Sequence, residues 1–399
     1  MQAPVKRILH VFMDARTGGP LVRVMAVSER LRADGWEAVM ALPPGGDFHE
    51  HFRAGGYRWH EVAMSGPRSP KNIPGNLVWA FSFPFAVLRL MKIIRKENPT
   101  IVHLHGLMSL QGGIAARLMK RKIVWHLSSC LYPQKLARLV MRFIRRAAHR
   151  MVIISESIRE YHFGSDQSDD DRIFVIPEAV DTDLFDPANW AGSDALALRR
   201  EYGIDTEAPL VGTIGNINPI KDYETFIRAA EGVHREIPTA HFAAAGAILD
   251  TQVAYLQKLK AMIHERGLDG HFHFTNKLLP GRMPLFLKAI DVFAFTSKAE
   301  GGPRVTLEAM SMARPVVSTR VGDVPFQVDQ GETGYVVGVG DADILARHIV
   351  DLLQDADRRN DMGAKARQKC RRDFGLDAFV GRHAAIYNQL LADAQAQNS

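Results

Sequence analysis

The chain has 399 residues, 46% of them hydrophobic and 24% charged, with a formal net charge of +6 and a pI near 9.3. At roughly 150 residues per domain this makes two or three domains, and the balanced composition excludes a disordered, collagenous or coiled-coil chain. Two cysteines, Cys130 and Cys370, exclude a disulfide framework and a four-thiolate metal site, and they point to a reducing, cytoplasmic compartment.

Taken in chain order, Lys6 and Arg7 precede only six apolar-leaning residues, 8–13. That run is too short for a signal-peptide core and has no small-residue cleavage site, so it reads as a strand. Apolar runs predict further strands over 37–42, 101–105, 122–127, 151–155 and 173–176, with helices between them, for example over 20–33 and 133–149. The longest apolar run, 77–88, contains Ser82 and Pro84 and is too short for the roughly 20 residues a membrane span takes. Strands over 210–214, 242–245, 272–275, 292–296 and 316–318, with helices over 221–235, 253–266 and 305–313, repeat the pattern. Near-continuous apolar strands followed by helices mean parallel sheets covered on both faces. The expected architecture is α/β: two doubly wound Rossmann-like domains facing across a deep cleft. Asp, Pro, Gly and Asn cluster over 181–194 and suggest domains over 1–185 and 186–375, with a last helix over 376–399 returning to the first domain.

Charge is uneven along the chain. Residues 1–185 carry 26 Lys+Arg against 17 Asp+Glu, whereas residues 186–399 carry 24 against 27. Between Glu97 and Glu156 there is no acidic residue and there are ten basic ones, which suggests an anionic partner of the N-terminal half. Lys135, Arg138, Arg142, Arg145, Arg146 and Arg150 share a stretch with Leu136, Leu139, Val140, Phe143 and Ile144. Such a helix reads either as a membrane-surface element or as a solvated face over a buried stripe. Aromatics are not interleaved with the charges, so no nucleic-acid partner is expected.

Chemistry concentrates between Asp291 and Gly334. A strand ends near Ser297, then come Lys298, Ala299, Glu300, Gly301, Gly302, Pro303 and Arg304, then a helix. Pro303 suits the first helical position, the glycines let a ligand approach the backbone, and the amides ahead of the helix make an anion site. Glu300 and Glu308 are no glycosidase pair. Eight residues of helix span about 12 Å, beyond the roughly 5–9.5 Å between paired glycosidase carboxylates. Either Glu308 accepts from ribose hydroxyls and Glu300 reaches a sugar beyond the phosphates, or Glu308 only favours its helix and Glu300 is solvated. His103 and His105 alternate on one strand, as do His271 and His273; with no third ligand nearby in sequence, both pairs read as structural or cleft-lining and no metal site is expected. No G-x-G-x-x-G follows a strand, so a nicotinamide site has no support. Met310 and Met312 read as core.

Several stretches together resemble the retaining GT-B glycosyltransferases of family 4, the glycosyl transferases group 1. EGGPRVTLEAM carries two glutamates separated by seven residues, Glu300 and Glu308, and is followed by ARPVVSTRVGD and GETGYVV. TGGP over 17–20, GWE over 35–37, NPTIVHLHG, KIVWHLSS, RIFVIPEAVDTDLF and GNINPIKDYETFIRAA extend the resemblance over roughly residues 6–390. It implies a nucleoside diphosphate sugar as donor substrate, with no cofactor and no metal. Glu308 would hold the ribose and Glu300 the transferred sugar, Lys221 would neutralise the diphosphate with amides near Gly302, Pro303 and Arg304, and Gly301 would complete the turn. His126 would sit over the sugar, and Gly18 and Gly19 would line the floor beneath it. The implied function is retaining hexose transfer to a lipid-linked, polysaccharide or lipopolysaccharide precursor, in the cytoplasm or peripherally at the inner membrane face. The alternatives are a nucleotide-sugar epimerase of the same fold or an inactive nucleotide-sugar-binding protein. Three positions depart from the family pattern. Asn216 stands where an arginine is usual, Glu178-Ala179 replaces Asn-Gly, and Gly322-Asp323-Val324-Pro325-Phe326 lacks the usual glutamate. Either Arg304 supplies the missing phosphate charge or Asn216 donates neutral hydrogen bonds.

Overall fold

The computed structural model describes residues 6–14, 19–45, 48–67, 72–128, 132–164 and 170–396. Thirteen described strands form two sheets. The first is ordered β3-β2-β1-β4-β5-β6-β7, from β1 (Lys6–Phe12), β2 (Trp36–Leu42), β3 (Arg58–Glu61), β4 (Ile101–His105), β5 (Lys122–Leu127), β6 (Arg150–Ile153) and β7 (Ile173–Val175). The second is ordered β10-β9-β8-β11-β12-β13, from β8 (Leu210–Ile214), β9 (His241–Ala245), β10 (Phe272–Asn276), β11 (Val292–Phe295), β12 (Val316–Thr319) and β13 (Gly334–Val337). Every described pairing is parallel. Both sheets are therefore doubly wound, reversing direction between β1 and β4 and between β8 and β11.

Two strands fall outside the sequence expectation. β3 (RWHE) is a short edge strand with no apolar run, its residues half-buried or exposed. β13 lies in the stretch read only as a G-x-T-G motif. Period-two alternation builds the cores. Phe293 and Phe295 of β11 enter one cluster with Leu210 and Ile214, while Val292 and Ala294 enter another with Val211 and Phe242.

The chain divides into two compact units, residues 1–177 with 379–399, and residues 178–378. The division precedes the polar cluster at 181–194 because Val180 already belongs to the second unit: its amide donates to the Phe374 carbonyl at 2.9 Å and it bridges Gly375. The last helix, Leu376–Ala396, passes into the first unit at Phe379. There Tyr387 meets Trp36, and Asp393 pairs with Arg150 at 3.1 Å.

The apolar run at 77–88 is part of a longer helix, Ile73–Glu97, with Pro84 inside it. Met91, Ile93 and Ile94 prolong its apolar character between basic residues. By length and composition it is the one described helix that could cross a membrane, which corrects the reading that the run is too short. Ala86, Val87, Leu90 and Ile94 are buried, whereas Ile73, Leu77, Val78, Phe81, Phe85 and Leu88 are exposed.

Candidate functional site

The loops leaving β8 and β11 start where the second sheet reverses, which is where open α/β sheets take ligands. They are stitched together before any ligand arrives. The Asn218 side chain accepts from the amides of Ile220 and Lys221 and forms the turn after β8. The Lys298 amide donates to the Ile220 carbonyl at 2.8 Å and the Thr296 hydroxyl to the Lys221 carbonyl at 3.1 Å. Lys221 consequently stands in a short 3-10 turn ahead of the helix Tyr223–Glu236 rather than inside it. Its Nζ lies 2.6 Å from Glu300 Oε1, and the Ser297 hydroxyl donates to the same oxygen at 2.9 Å. Glu300 is thus held, not solvated. The close packing leaves no room behind the loop, since a Cβ on Gly246 would fall 1.8 Å from the Gly215 carbonyl oxygen. Asn216 is exposed and makes no side-chain hydrogen bond among the described residues.

The glycine turn is equally constrained. The Asp323 amide donates to the Gly301 carbonyl at 3.0 Å, and a Cβ on Gly322 (φ +49°) would meet that carbonyl oxygen at 2.2 Å. Thr306 and Gln327 both donate to the Pro303 carbonyl and bond each other. Pro303 has extended backbone (ψ 120°) and caps the helix Arg304–Ser311 from outside, one residue earlier than expected. No side chain caps that helix, so its first amides keep their capacity to meet an anion.

Glu308 sits in this helix with 6% of its surface exposed. Its Oε1 lies 3.6 Å from Arg304 Nη2, and its Oε2 has no hydrogen-bond partner. Burial raises its pKa, against the opposing charge of Arg304. A buried carboxylate oxygen without a donor is costly in the ligand-free fold, and paired hydroxyls would satisfy it. The neighbouring Met310 and Met312 are fully buried core, as their spacing suggested.

The first sheet reverses between β1 and β4, and there the chemistry is different. Leu9 and Val11 face one side of β1, so His10 faces the other. Register pairs His10 with His103 and His105 with His126, so all four imidazoles share one face. The last helix adds His383 and Tyr387, and all five histidines are buried. Burial, followed by neighbouring histidines and Arg23, pulls His103, His105 and His126 well below the usual imidazole range, and His10 falls to about 3. All are neutral at pH 7. Arg23 Nη1 donates to His126 Nε2 at 3.1 Å, which places the His126 proton on Nδ1.

Sequence spacing missed this assembly because register, not proximity along the chain, brings His10 to His103 and His105. Nitrogens of these three lie within 4.8 Å of one another, and His103 Nε2 has no partner. Three ligand atoms are therefore present, but Arg23 stands beside them and no carboxylate belongs to the cluster, so a divalent cation would meet like charge. The face suits neutral hydrogen bonding. Gly19 opens the helix Gly19–Leu31 that carries Arg23, while Gly18 and Cys130 lie outside the described residues.

Within the second unit, the structure brings together Lys221, Glu300, Gly301, Gly302, Pro303, Arg304 and Glu308 with Ser297, Gln327 and Gly322. Sequence reading had given no role to Ser297 or Gln327, and Gly322 had figured only in a stretch that departs from the family pattern. A hydroxyl two residues past β11 was the one signal for Ser297. On the helix Gln134–Ala147, Ala137, Val140, Met141 and Ile144 are buried, so the core occupies the apolar stripe and leaves Lys135, Arg138, Leu139, Arg142 and Arg146 exposed.

Residues 194–369 match the family described as Glycosyl transferases group 1, and residues 17–184 match Glycosyltransferase Family 4. A GDP-mannose-dependent alpha-(1-6)-phosphatidylinositol monomannoside mannosyltransferase of Mycolicibacterium smegmatis is 30% identical over 65% of this chain and 68% of its own length. A D-inositol 3-phosphate glycosyltransferase of Corynebacterium glutamicum is 27% identical over 57% of this chain and 54% of its own length. The chain thus spans about half to two thirds of these curated relatives. The crystal structure of Anabaena HepE in complex with UDP has the same fold, with a TM-score of 0.81 at 20% identity over 96% of this chain and 100% of that one.

Proposed function

Because the chain belongs to the glycosyl transferases group 1 of glycosyltransferase family 4, we propose that it moves a sugar from a nucleoside diphosphate donor to an acceptor with retention. The observation that carries this reading is the buried Glu308 Oε2, which lacks a partner on the same short helix whose uncapped amides follow the glycine turn. One extended ligand satisfies both, with ribose hydroxyls on Glu308 and diphosphate at the amides and Lys221. The ammonium of Lys221 neutralises the charge that grows on the departing diphosphate, as fixed donors do most effectively in a preorganised site. Diphosphate competes with Glu300 for that ammonium, so donor binding releases Glu300, still held by Ser297, toward the sugar hydroxyls. In this reading charge is balanced without a divalent metal.

The acceptor is proposed to be a lipid-linked or polysaccharide precursor, reached by a cytoplasmic enzyme resting on the inner membrane face. Two exposed features support that placement: the basic face of the helix Gln134–Ala147, and the apolar face of Ile73–Glu97 with Arg89, Lys92, Arg95 and Lys96 beside it. The relatives' names bring GDP-mannose and inositol- or phosphatidylinositol-based acceptors to the front of the test. One observation favours a second reading, a donor-binding protein without transfer: the neutral, exposed Asn216 at the position of the usual arginine.

The deciding experiment is thermal unfolding with UDP, GDP, ADP, CMP and TDP, with magnesium and with EDTA, followed by transfer assays with the matching sugar donors. A ligand at a hundred times its dissociation constant adds about 2.7 kcal/mol. Stabilisation by one nucleotide without metal, abolished in Glu308→Ala, together with transfer, is the expected result. Donor binding with neither hydrolysis nor transfer would select the second reading, and no response to any nucleotide would overturn both.

A further inference from the structure

The amino ends of β5, β6 and β7, the sheet edge opposite the histidine-bearing carboxyl ends, border a cavity of about 500 Å³. Arg117, Lys122, Arg146, His149, Arg150 and Arg172 line it, and Asp393 is the one acidic residue in the lining. Helix ends account for part of this. Arg172 Nη1 and Arg150 Nη1 donate to the carbonyls of Arg145 and His149 at 3.0 Å, where the helix Gln134–Ala147 stops. Carboxylates account for another part, since Arg172 is held by Asp170 and Arg150 by Asp393. A cationic surplus is left over. Arg117 and Arg146 pair with no carboxylate among the described residues, and the buried Arg150 Nε has no hydrogen-bond partner. The His149 Nδ1 accepts from the Ile123 amide at 3.1 Å, which puts the ring proton on Nε2 as a neutral donor. That ring also reports the local potential: burial first, then Lys122, Arg117, Arg150 and Arg172, pulls its pKa to about 4.

We propose that this pocket is a second ligand site, one that binds a phosphate monoester. Its volume falls in the range of small-molecule pockets, guanidinium forks match phosphate oxygens in pairs, and the dianion supplies the charge the pocket lacks. A phosphate held at the amino ends of the strands is not the reacting donor, so the site is independent of the transfer reaction proposed above. Phosphate of this kind is offered either by a soluble phosphorylated compound or by a lipid headgroup.

The test uses the full chain and the Arg117→Gln, Lys122→Gln double variant, which removes two of the cationic side chains that line the pocket. Calorimetric titration with inorganic phosphate and glycerol 3-phosphate at fixed ionic strength forms one arm. Flotation with phosphatidic acid in phosphatidylcholine vesicles, against phosphatidylcholine alone, forms the other. Lys221→Ala controls for phosphate at the donor site, and Arg138→Gln for general surface charge. Binding in the soluble arm that falls at least tenfold in the double variant, but not in Lys221→Ala, supports the site and names a soluble ligand. Binding confined to phosphatidic acid vesicles, with the same loss in the double variant and none in Arg138→Gln, supports it and names a headgroup. Equal binding by wild type and double variant, or no binding in either arm, overturns it. The stabilisation by nucleotide stays unchanged in the double variant, so failure here is separable from failure of the donor site.

Discussion

The two sheets reverse direction in the same way, yet their reversal points are furnished with opposite chemistry. In the second unit, β8 and β11 end in a Lys221–Glu300 ion pair, uncapped helix amides and a buried carboxylate oxygen without a donor. In the first, β1, β4 and β5 present neutral imidazoles packed on one another and on Tyr387, with Arg23 as the cation that hydrogen-bonds among them. Winding therefore decides where a ligand lies. The side chains at the strand ends decide whether it is met by full charges or by uncharged donors and acceptors.

Removing charge from the second unit gives the largest expected effect. Lys221→Ala should lower the transfer rate by roughly a hundred- to a thousandfold, the cost of losing one preorganised donor to developing charge. A rate within threefold of wild type would break the contrast between the two units.

The packing behind that loop is the next test. Gly246→Ala drives a methyl group into the Gly215 carbonyl and should cost about 2–4 kcal/mol, read as a fall in the unfolding midpoint of the second unit.

Glu308→Gln separates stability from function. Losing hydrogen bonds to a charged group should weaken nucleotide binding by about 1.5–3 kcal/mol, roughly ten- to a hundredfold. Without ligand the variant should be at least as stable as wild type, because a buried carboxylate is removed. A destabilised variant with unchanged nucleotide affinity would assign Glu308 to the fold alone.

Acid should divide the units. The pKa values of His10 and His383 lie near 3 and 4, with burial the main cause, against 6.5 in the unfolded chain. The unfolded state therefore binds the extra protons, so stability is full above about pH 7 and falls as pH drops toward 4. Each of these histidines should cost about 2 kcal/mol by pH 5. Glu308 has the opposite sign, because its raised pKa favours the folded second unit as protons are taken up. Hydrogen exchange at pH 5 against pH 7 should show the first unit opening first, and uniform protection would contradict the difference.

The smallest effect concerns the surface. Phe81 is 76% exposed on the helix Ile73–Glu97, so Phe81→Ser should shift stability by less than about 0.5 kcal/mol. It should reduce flotation with anionic vesicles if this face rests on a membrane.

The sequence by itself determined the secondary-structure grammar. Apolar runs marked most of the strands because buried parallel strands must be apolar on both faces, and the strand–glycine–helix stretch at 292–311 was legible because anion sites need bare backbone. Edge strand β3, with none of its residues buried, gave no such signal. Local spacing singled out Glu300 and Glu308 and the family resemblance added Lys221, but neither showed that Glu300 rests on Lys221 and Ser297 while Glu308 is left with a free oxygen. The tertiary structure alone decided those partners, as it decided the histidine face, since strand register joins His10 to His103 across 93 positions and His105 to His126 on the next strand. It likewise decided the cationic pocket, gathered from two helix ends, the starts of β5 and β6, the lead-in to β7 and the returning last helix. Periodicity is a local property that burial writes into the sequence, whereas ion pairs, register and pockets depend on distances between segments that folding brings together.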